Sequence, residues 1–375
     1  MSELTDDQVA DQARVVDPEL IEKTTSNDFS EYSTLPLNSH QRAIVHEYAR
    51  RKNLLSISKS AKNGLKIVII TPNTESKILK REISDSMIRT FSNYAKVHIP
   101  VCSVKYIDYY LEVLEQVYDC KRMYELFKKA IERTNGDITR AHVNLTNTIA
   151  EHIKGHTEYK NFIARPRPKD YGEMGPNGKF YINTNANKYF VSIDVKSANF
   201  RCVKHFCPNM FSGEWKDFVS KFTDIEFLIE SKMFREKTFG EIFKGGIQRM
   251  PRMFIKQVYD YVNEKYALRH ATTSDDEVIY EVDKDFDIDE FRQNIETLLP
   301  NHFHVDMFKL VKLGRQEYYV KEFVKSDKKP DFKMVEKDTL IEVVKYYYKQ
   351  PLTETDRLFE HNGRIAEFKE DLQFD

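Results

Sequence analysis

Two groups of side chains in the 375-residue sequence could do chemistry. The first is acidic. The apolar run Tyr189-Phe-Val-Ser-Ile193 ends on Asp194, and Asp275, Asp276 and Glu277 stand just before a second apolar run, Val278 to Val282. Carboxylates on two adjacent strands are what a two-metal nucleotidyl-transfer site requires, because paired Mg²⁺ ions need hard oxygen ligands while they contact a phosphate and the attacking oxygen. In a chain with 59 acidic residues, acids also meet by chance as solvated turn residues, so proximity alone does not decide the matter. The second group is basic. Arg42 and His46 stand four apart and project from one helix face, followed by Arg50, Arg51, Lys52, Lys59, Lys62 and Lys66 against the single acid Glu47. Such a cluster would neutralise several phosphates and bind with strong salt dependence. Arg165 and Arg167, in the run Arg165-Pro-Arg-Pro-Lys169, are a secondary candidate contact for a nucleic-acid backbone, although solvated linkers share that composition.

The elements that must position these groups follow from periodicity and punctuation. Residues 1–30 carry Glu3, Asp6, Asp7, Asp11, Asp17, Glu19, Glu22 and Asp28 against Arg14 and Lys23, and predict a flexible acidic arm able to shield a basic face. A small α/β unit follows: a helix around 39–52, a polar Ser- and Lys-rich stretch, and a strand over 65–70 bounded by Gly64 and Pro72. Apolar residues at helical spacing predict helices over 105–155, broken at Asn135-Gly136-Asp137. The Pro- and Gly-rich passage 164–178 marks a domain boundary. Beyond it the pattern predicts strands at 189–193, 278–282 and 304–323, with helices through 200–265 and 289–299.

The totals bound the function. Lys plus Arg (58) nearly balance Asp plus Glu (59), so attraction of nucleic acid must come from local clusters. The four scattered cysteines suit reduced thiols in an intracellular compartment better than a disulfide framework. No secretory signal or membrane-spanning run is expected, the longest strong apolar run being Ile67 to Ile70. The aromatic content of 13% could serve base stacking, although aromatics more often fill cores. The same alternatives apply to Tyr346-Tyr347-Tyr348, which could stack bases or dock a terminal helix. Cys202, His205 and Cys207 crowd together without a second ligand pair, and zinc is not expected there.

The stretch from Leu35 to Ile70, with its Arg42/His46 pair, the Ser56-Ile-Ser-Lys59 region and the closing apolar strand, resembles the R-3-H domain, which binds single-stranded nucleic acids. The resemblance implies that Arg42 holds a phosphate and that His46 adds a hydrogen bond or a stacking surface. A second resemblance covers 185–320. Asp194, Arg201 and His205 keep the spacing of the first motif of family A DNA polymerases. Ile247-Gln248 is similar to the pair that opens the second motif's long helix, and Asp275-Asp276-Glu277 is similar to the third motif's His-Asp-Glu. The resemblance implies a palm domain with Asp194 and Asp276 as metal ligands, Glu277 as a supporting acid, and Arg201 and Gln248 near the primer-template. Two positions depart from the family: Asn199 stands where it has Glu, and Asp275 where it has His. Asp194 and Asp276 are only 82 residues apart, so the fingers helix that grips a triphosphate is deleted or rebuilt, with Arg235, Lys237, Phe239 and Gly240 resembling its end.

The sequence therefore predicts an α+β protein: an acidic arm (1–30), a small nucleic-acid-binding α/β module (31–75), a thumb-like helical connector (76–160), and a palm-like antiparallel sheet with packed helices and reduced fingers (161–375). The expected partners are single-stranded or primed nucleic acid and a nucleotide triphosphate, with Mg²⁺ or Mn²⁺ if the palm is catalytic. The alternative is a non-catalytic single-strand-binding or scaffold protein whose palm is degenerate.

Overall fold

The structure, a computed structural model, describes residues 5–26, 29–52, 54–61, 65–72, 83–164, 171–175, 178–211, 213–243, 247–370, 372 and 374. It is mixed α/β with antiparallel sheets, and it divides into two units, Met1–Lys80 and Arg81–Asp375.

The first unit holds α1 (Asp6–Val16), α2 (Leu20–Thr25), β1 (Tyr32–Ser33), α3 (Ser39–Arg51), β2 (Leu54–Ser60) and β3 (Lys66–Pro72), the strands pairing in the order β1-β3-β2. The acidic stretch expected as a flexible arm is helical instead. Thr5 and Gln8 form a reciprocal capping box, and Val9, Ala13 and Leu20 are buried in one core with Val45, Tyr48, Val68 and Ile70. Val9 and Ala13 lie four apart, so even a strongly charged helix presents one narrow apolar stripe. Residues 54–60, within the Ser- and Lys-rich stretch, form edge strand β2. Its register with β3 puts Ser56 and Ser58 opposite the buried Ile70 and Val68, with Ile57 and Lys59 on the other face.

The second unit opens with α4 (Asp85–Ala95), α5 (Ile107–Leu114), α6 (Cys120–Arg133), α7 (Ile138–Gly155) and α8 (Thr157–Ala164). The break between α6 and α7 uses positive φ at Asn135 and Gly136. Then come β4 (Tyr189–Val195), α9 (Ala198–Phe206), α10 (Trp215–Val219), α11 (Glu226–Glu230), α12 (Lys232–Phe243) and α13 (Arg252–Lys265). The hairpin β5 (Arg269–Thr273) and β6 (Glu277–Val282) follows, then α14 (Ile288–Leu298), β7 (Phe303–Leu313), β8 (Tyr318–Val324) and β9 (Asp331–Lys333). The chain ends with α15 (Leu340–Tyr347) and the hairpin β10 (Leu358–His361) and β11 (Arg364–Glu367).

The six-stranded sheet runs β5-β6-β4-β7-β8-β9, with every pair antiparallel. Its first four strands in chain order form two split β-α-β units: β6 lies between β4 and β5, and β4 between β6 and β7, with β5 and β7 each reached through a helical crossover. Alternation gives the sheet two unlike faces. Val191, Ile193, Val195, Val278, Tyr280, Val305 and Met307 belong to the main core with the helices. The opposite face carries Asp194, Ser192, Glu277, His304 and Asp306 at one end, and a smaller cluster of Phe180, Phe190, Phe308, Leu310 and Tyr319 at the other.

The surplus of aromatics supplies cores. Tyr48, Tyr110, Phe91, Phe127, Phe200, Phe218 and Phe239 are among the largest fully buried side chains, and burying each such ring contributes about 1.5–3 kcal/mol. The three C-terminal tyrosines also dock: Tyr346 stacks on Phe374, Tyr347 donates to Glu322, and Tyr348 donates to the Gln116 carbonyl.

Candidate functional site

Asp194 is the last acid of central strand β4, registered against Glu277 on one side and His304 on the other. The β5–β6 turn is brought to it by the backbone, Val195 N–H donating to the Asp276 carbonyl at 2.8 Å. Ser274 pins that turn: its hydroxyl donates to Asp276 Oδ1 at 3.0 Å and accepts from the Glu277 N–H at 3.0 Å. After β4 the chain turns through Ser197, held at φ 49°, directly into α9. The apolar run before Asp194 and the one after Glu277 thus place the strands, and strand pairing places the acids together.

The three carboxylates are not equivalent. Glu277 is satisfied: its Oε1 accepts from Ser192 Oγ at 2.6 Å and from Lys321 Nζ at 3.1 Å, and the lysine side chain is only 7% exposed. Asp276 is exposed, and Asp194 is partly buried. Neither has an ion-pair partner among the described residues. Burial, together with the like charges of Glu277 and Asp276, pushes the Asp194 carboxyl from 3.8 up to about 7, against the weaker opposing fields of Lys232 and Lys321. Among the described residues no three His, Cys, Asp or Glu side chains form a ready-made metal cluster. The hard-oxygen pair Asp194 and Asp276 fits a divalent cation that keeps further positions for water or substrate oxygens.

Lys232 opens α12, the helix carrying Arg235, Lys237, Phe239 and Gly240, and its field reaches Asp194. Arg235 lies three residues on, so it shares a helix face with Lys232. Burial pushes its guanidinium down, and it has no ion-pair partner among the described residues. A partly buried cation without a carboxylate suits an anionic ligand.

The other polymerase-like positions scatter. Arg201 is buried and makes a bidentate pair with Glu214, at 3.2 and 2.7 Å, rather than facing the open end of the sheet. Gln248 is exposed in a turn just before α13 instead of opening the helix itself. His205 packs edge-on against Phe254 and His302.

In the N-terminal unit, His46 bridges from α3 to β2, its Nδ1 and Nε2 each 2.8 Å from the hydroxyls of Ser56 and Ser58. Arg42 donates from one terminal nitrogen to the Leu37 carbonyl at 2.9 Å, which fixes the guanidinium beside the start of α3. Arg50 and Arg51 both bind Glu47, and Arg51 also reaches Asp6 of α1 at 2.7 Å. Hydrogen bonds from Arg50, with a smaller share from Arg51, hold the Glu47 carboxyl down to about 2. Part of the positive charge counted from sequence is thus already neutralised. Lys59 is exposed on β2, while Lys62, Arg165 and Arg167 lie outside the described residues.

No protein-family model, no curated protein and no solved structure matches the chain.

Proposed function

We propose that the second unit catalyses metal-dependent nucleotidyl transfer on nucleic acid through a palm related to that of family A polymerases, and that the R-3-H-like unit holds a single strand. The observation that carries this reading is Asp194: an acid registered against Glu277, next to Asp276, pushed up to about 7 and lacking a cation of its own. The 4-1-3-2 strand order of β7, β4, β6 and β5 supports the palm comparison, since it sets one acid at a central strand end and the others on the neighbouring hairpin. Asp194 and Asp276 would hold Mg²⁺ or Mn²⁺, which when bound polarises phosphoryl oxygens and lowers the pKa of a bound hydroxyl. Lys232 and Arg235 would offset charge on the transferred phosphates. Glu277, tied to Ser192 and Lys321, would orient the site without binding metal.

The second reading, a palm used only as a binding platform, draws support from Asn199 at the family's Glu position and from Arg201 being engaged by Glu214. Primer extension on primed DNA and RNA with Mg²⁺ or Mn²⁺ separates the two. Extension by the wild type that is abolished in Asp194→Ala/Asp276→Ala supports transfer. Strand binding without extension, unchanged in that variant but weakened by Arg42→Ala, supports the platform and sinks the enzymatic reading.

A further inference from the structure

A second cationic feature lies in the same unit but is lined by different residues. A cleft of about 600 Å³ is bounded by the end of α4, the start of α7, the middle of α12 and the segment just before α15. Lys96, His98, Lys237 and Lys337 converge on it, and among the described residues its lining holds no carboxylate. Lys237 and Lys337 have no ion-pair partner among the described residues. Lys96 has Glu236 at 3.4 Å, and that glutamate also serves Lys232 at 3.8 Å. The cations are close enough to feel one another: burial first, then Lys337 and Lys96, push the His98 imidazole down. Lys96 moreover occupies the left-handed cap position of α4, at φ 56°, where glycine or asparagine would be unstrained. Like charges drawn from separate elements into one concavity repel unless an anion joins them. Met233 and Tyr94 supply an apolar wall, and Asn93 a neutral polar group at the rim.

We propose that this cleft binds a small, multiply charged phosphate anion of the oligophosphate class. Its concavity and size suit a compact ligand that three lysines can surround, whereas a nucleic-acid backbone would need a basic track continuing beyond it. The assignment rests on none of the carboxylate chemistry proposed above.

Titration calorimetry of the full chain with inorganic tripolyphosphate, in EDTA and at two salt concentrations, tests it. The wild type is expected to bind saturably and more weakly at higher salt. Lys237→Ala/Lys337→Ala should weaken binding about a hundredfold, about tenfold for each charge-assisted hydrogen bond that the substitutions remove. Asp194→Asn should bind as the wild type does. Both lysines are exposed, so folding should survive, as circular dichroism would verify; Lys337→Gln alone gives a smaller loss of the same sign should the double variant misfold. Absence of saturable binding, equal binding by the lysine variants, or a matching loss in Asp194→Asn each overturns the assignment. A single-stranded oligonucleotide that binds through these lysines when tripolyphosphate does not would overturn it in favour of a strand-backbone contact.

Discussion

Replacing Asp194 with asparagine keeps the shape of the protonated carboxyl and removes its charge, so the variant isolates what the ionised acid costs the fold. The folded pKa of about 7 lies above the ordinary 3.8 of the unfolded chain. The protonated folded form is therefore favoured, and its stability is fully present below pH 3.8 and is lost as pH rises through about 7. At about 1.4 kcal/mol for each pH unit, the whole loss is about 4 kcal/mol, of which about 3 kcal/mol falls between about pH 5 and pH 8. Every other titrating group is common to both proteins, so the difference between Asp194→Asn and wild type should grow by that amount across the interval and flatten above it. Urea denaturation at about pH 5, 6, 7 and 8 measures this directly. Repeating the titration at the alkaline end with millimolar Mg²⁺ should narrow the gap, because a divalent cation would stabilise only the ionised wild type. A stability difference that does not change with pH, or a wild type more stable than the variant at the alkaline end, would show that Asp194 is not the crowded acid described above.

Other consequences follow from individual contacts. Lys345 and Asp356 form a buried pair at 2.8 Å, with side chains 8% and 0% exposed, and Tyr109 and Thr353 also donate to the acid. Asp356→Ala should therefore destabilise the second unit by about 3–5 kcal/mol, whereas Glu360→Ala, which breaks the outward-facing pair with Arg89, should cost less than about 1 kcal/mol by thermal denaturation. His46→Ala removes both serine hydrogen bonds and should cost the N-terminal unit about 1–2 kcal/mol. Arg42→Ala should leave that unit folded but lower single-strand affinity about tenfold and reduce the salt slope by about 1 in fluorescence anisotropy. Because Val9 is buried, Val9→Asp should expose the N-terminal unit to limited proteolysis; an unchanged cleavage pattern would return residues 6–16 to the status of an arm.

The elements that carry the acids were legible because each is an apolar run with polar punctuation: Tyr189 to Ile193 before Asp194, and Val278 to Val282 after a turn-forming Ser-Asp-Asp-Glu. What escaped depends on distance or on masking. Eight acids hid the Val9/Ala13 stripe of α1, since a two-residue stripe barely registers against that charge. The Ser56/Ser58 alternation of β2 lacked an apolar partner set because its inward side chains satisfy a histidine rather than fill a core. Lys321 and Glu277 are 44 residues apart, and no local pattern announces such a pair. The pairing of Arg201 with Glu214 was equally invisible, because spacing says where a side chain starts and not which partner wins it. Lys232 did leave a signal, as the residue one helical turn before Arg235.

The unequal treatment of the acids is the strongest reason to read chemistry into this end of the sheet. The fold supplies Glu277 with a buried lysine and a hydroxyl, so a carboxylate here can be satisfied where only stability is at stake. At the paired position of β4 it keeps Asp194 partly buried beside two further carboxylates, where an asparagine would fill the same volume without repulsion. Lys232 and Lys321 lower the energy of that arrangement without pairing with the acid. An acid held against repulsion, with cations near it but not on it, retains its unmet charge for a ligand brought from solution.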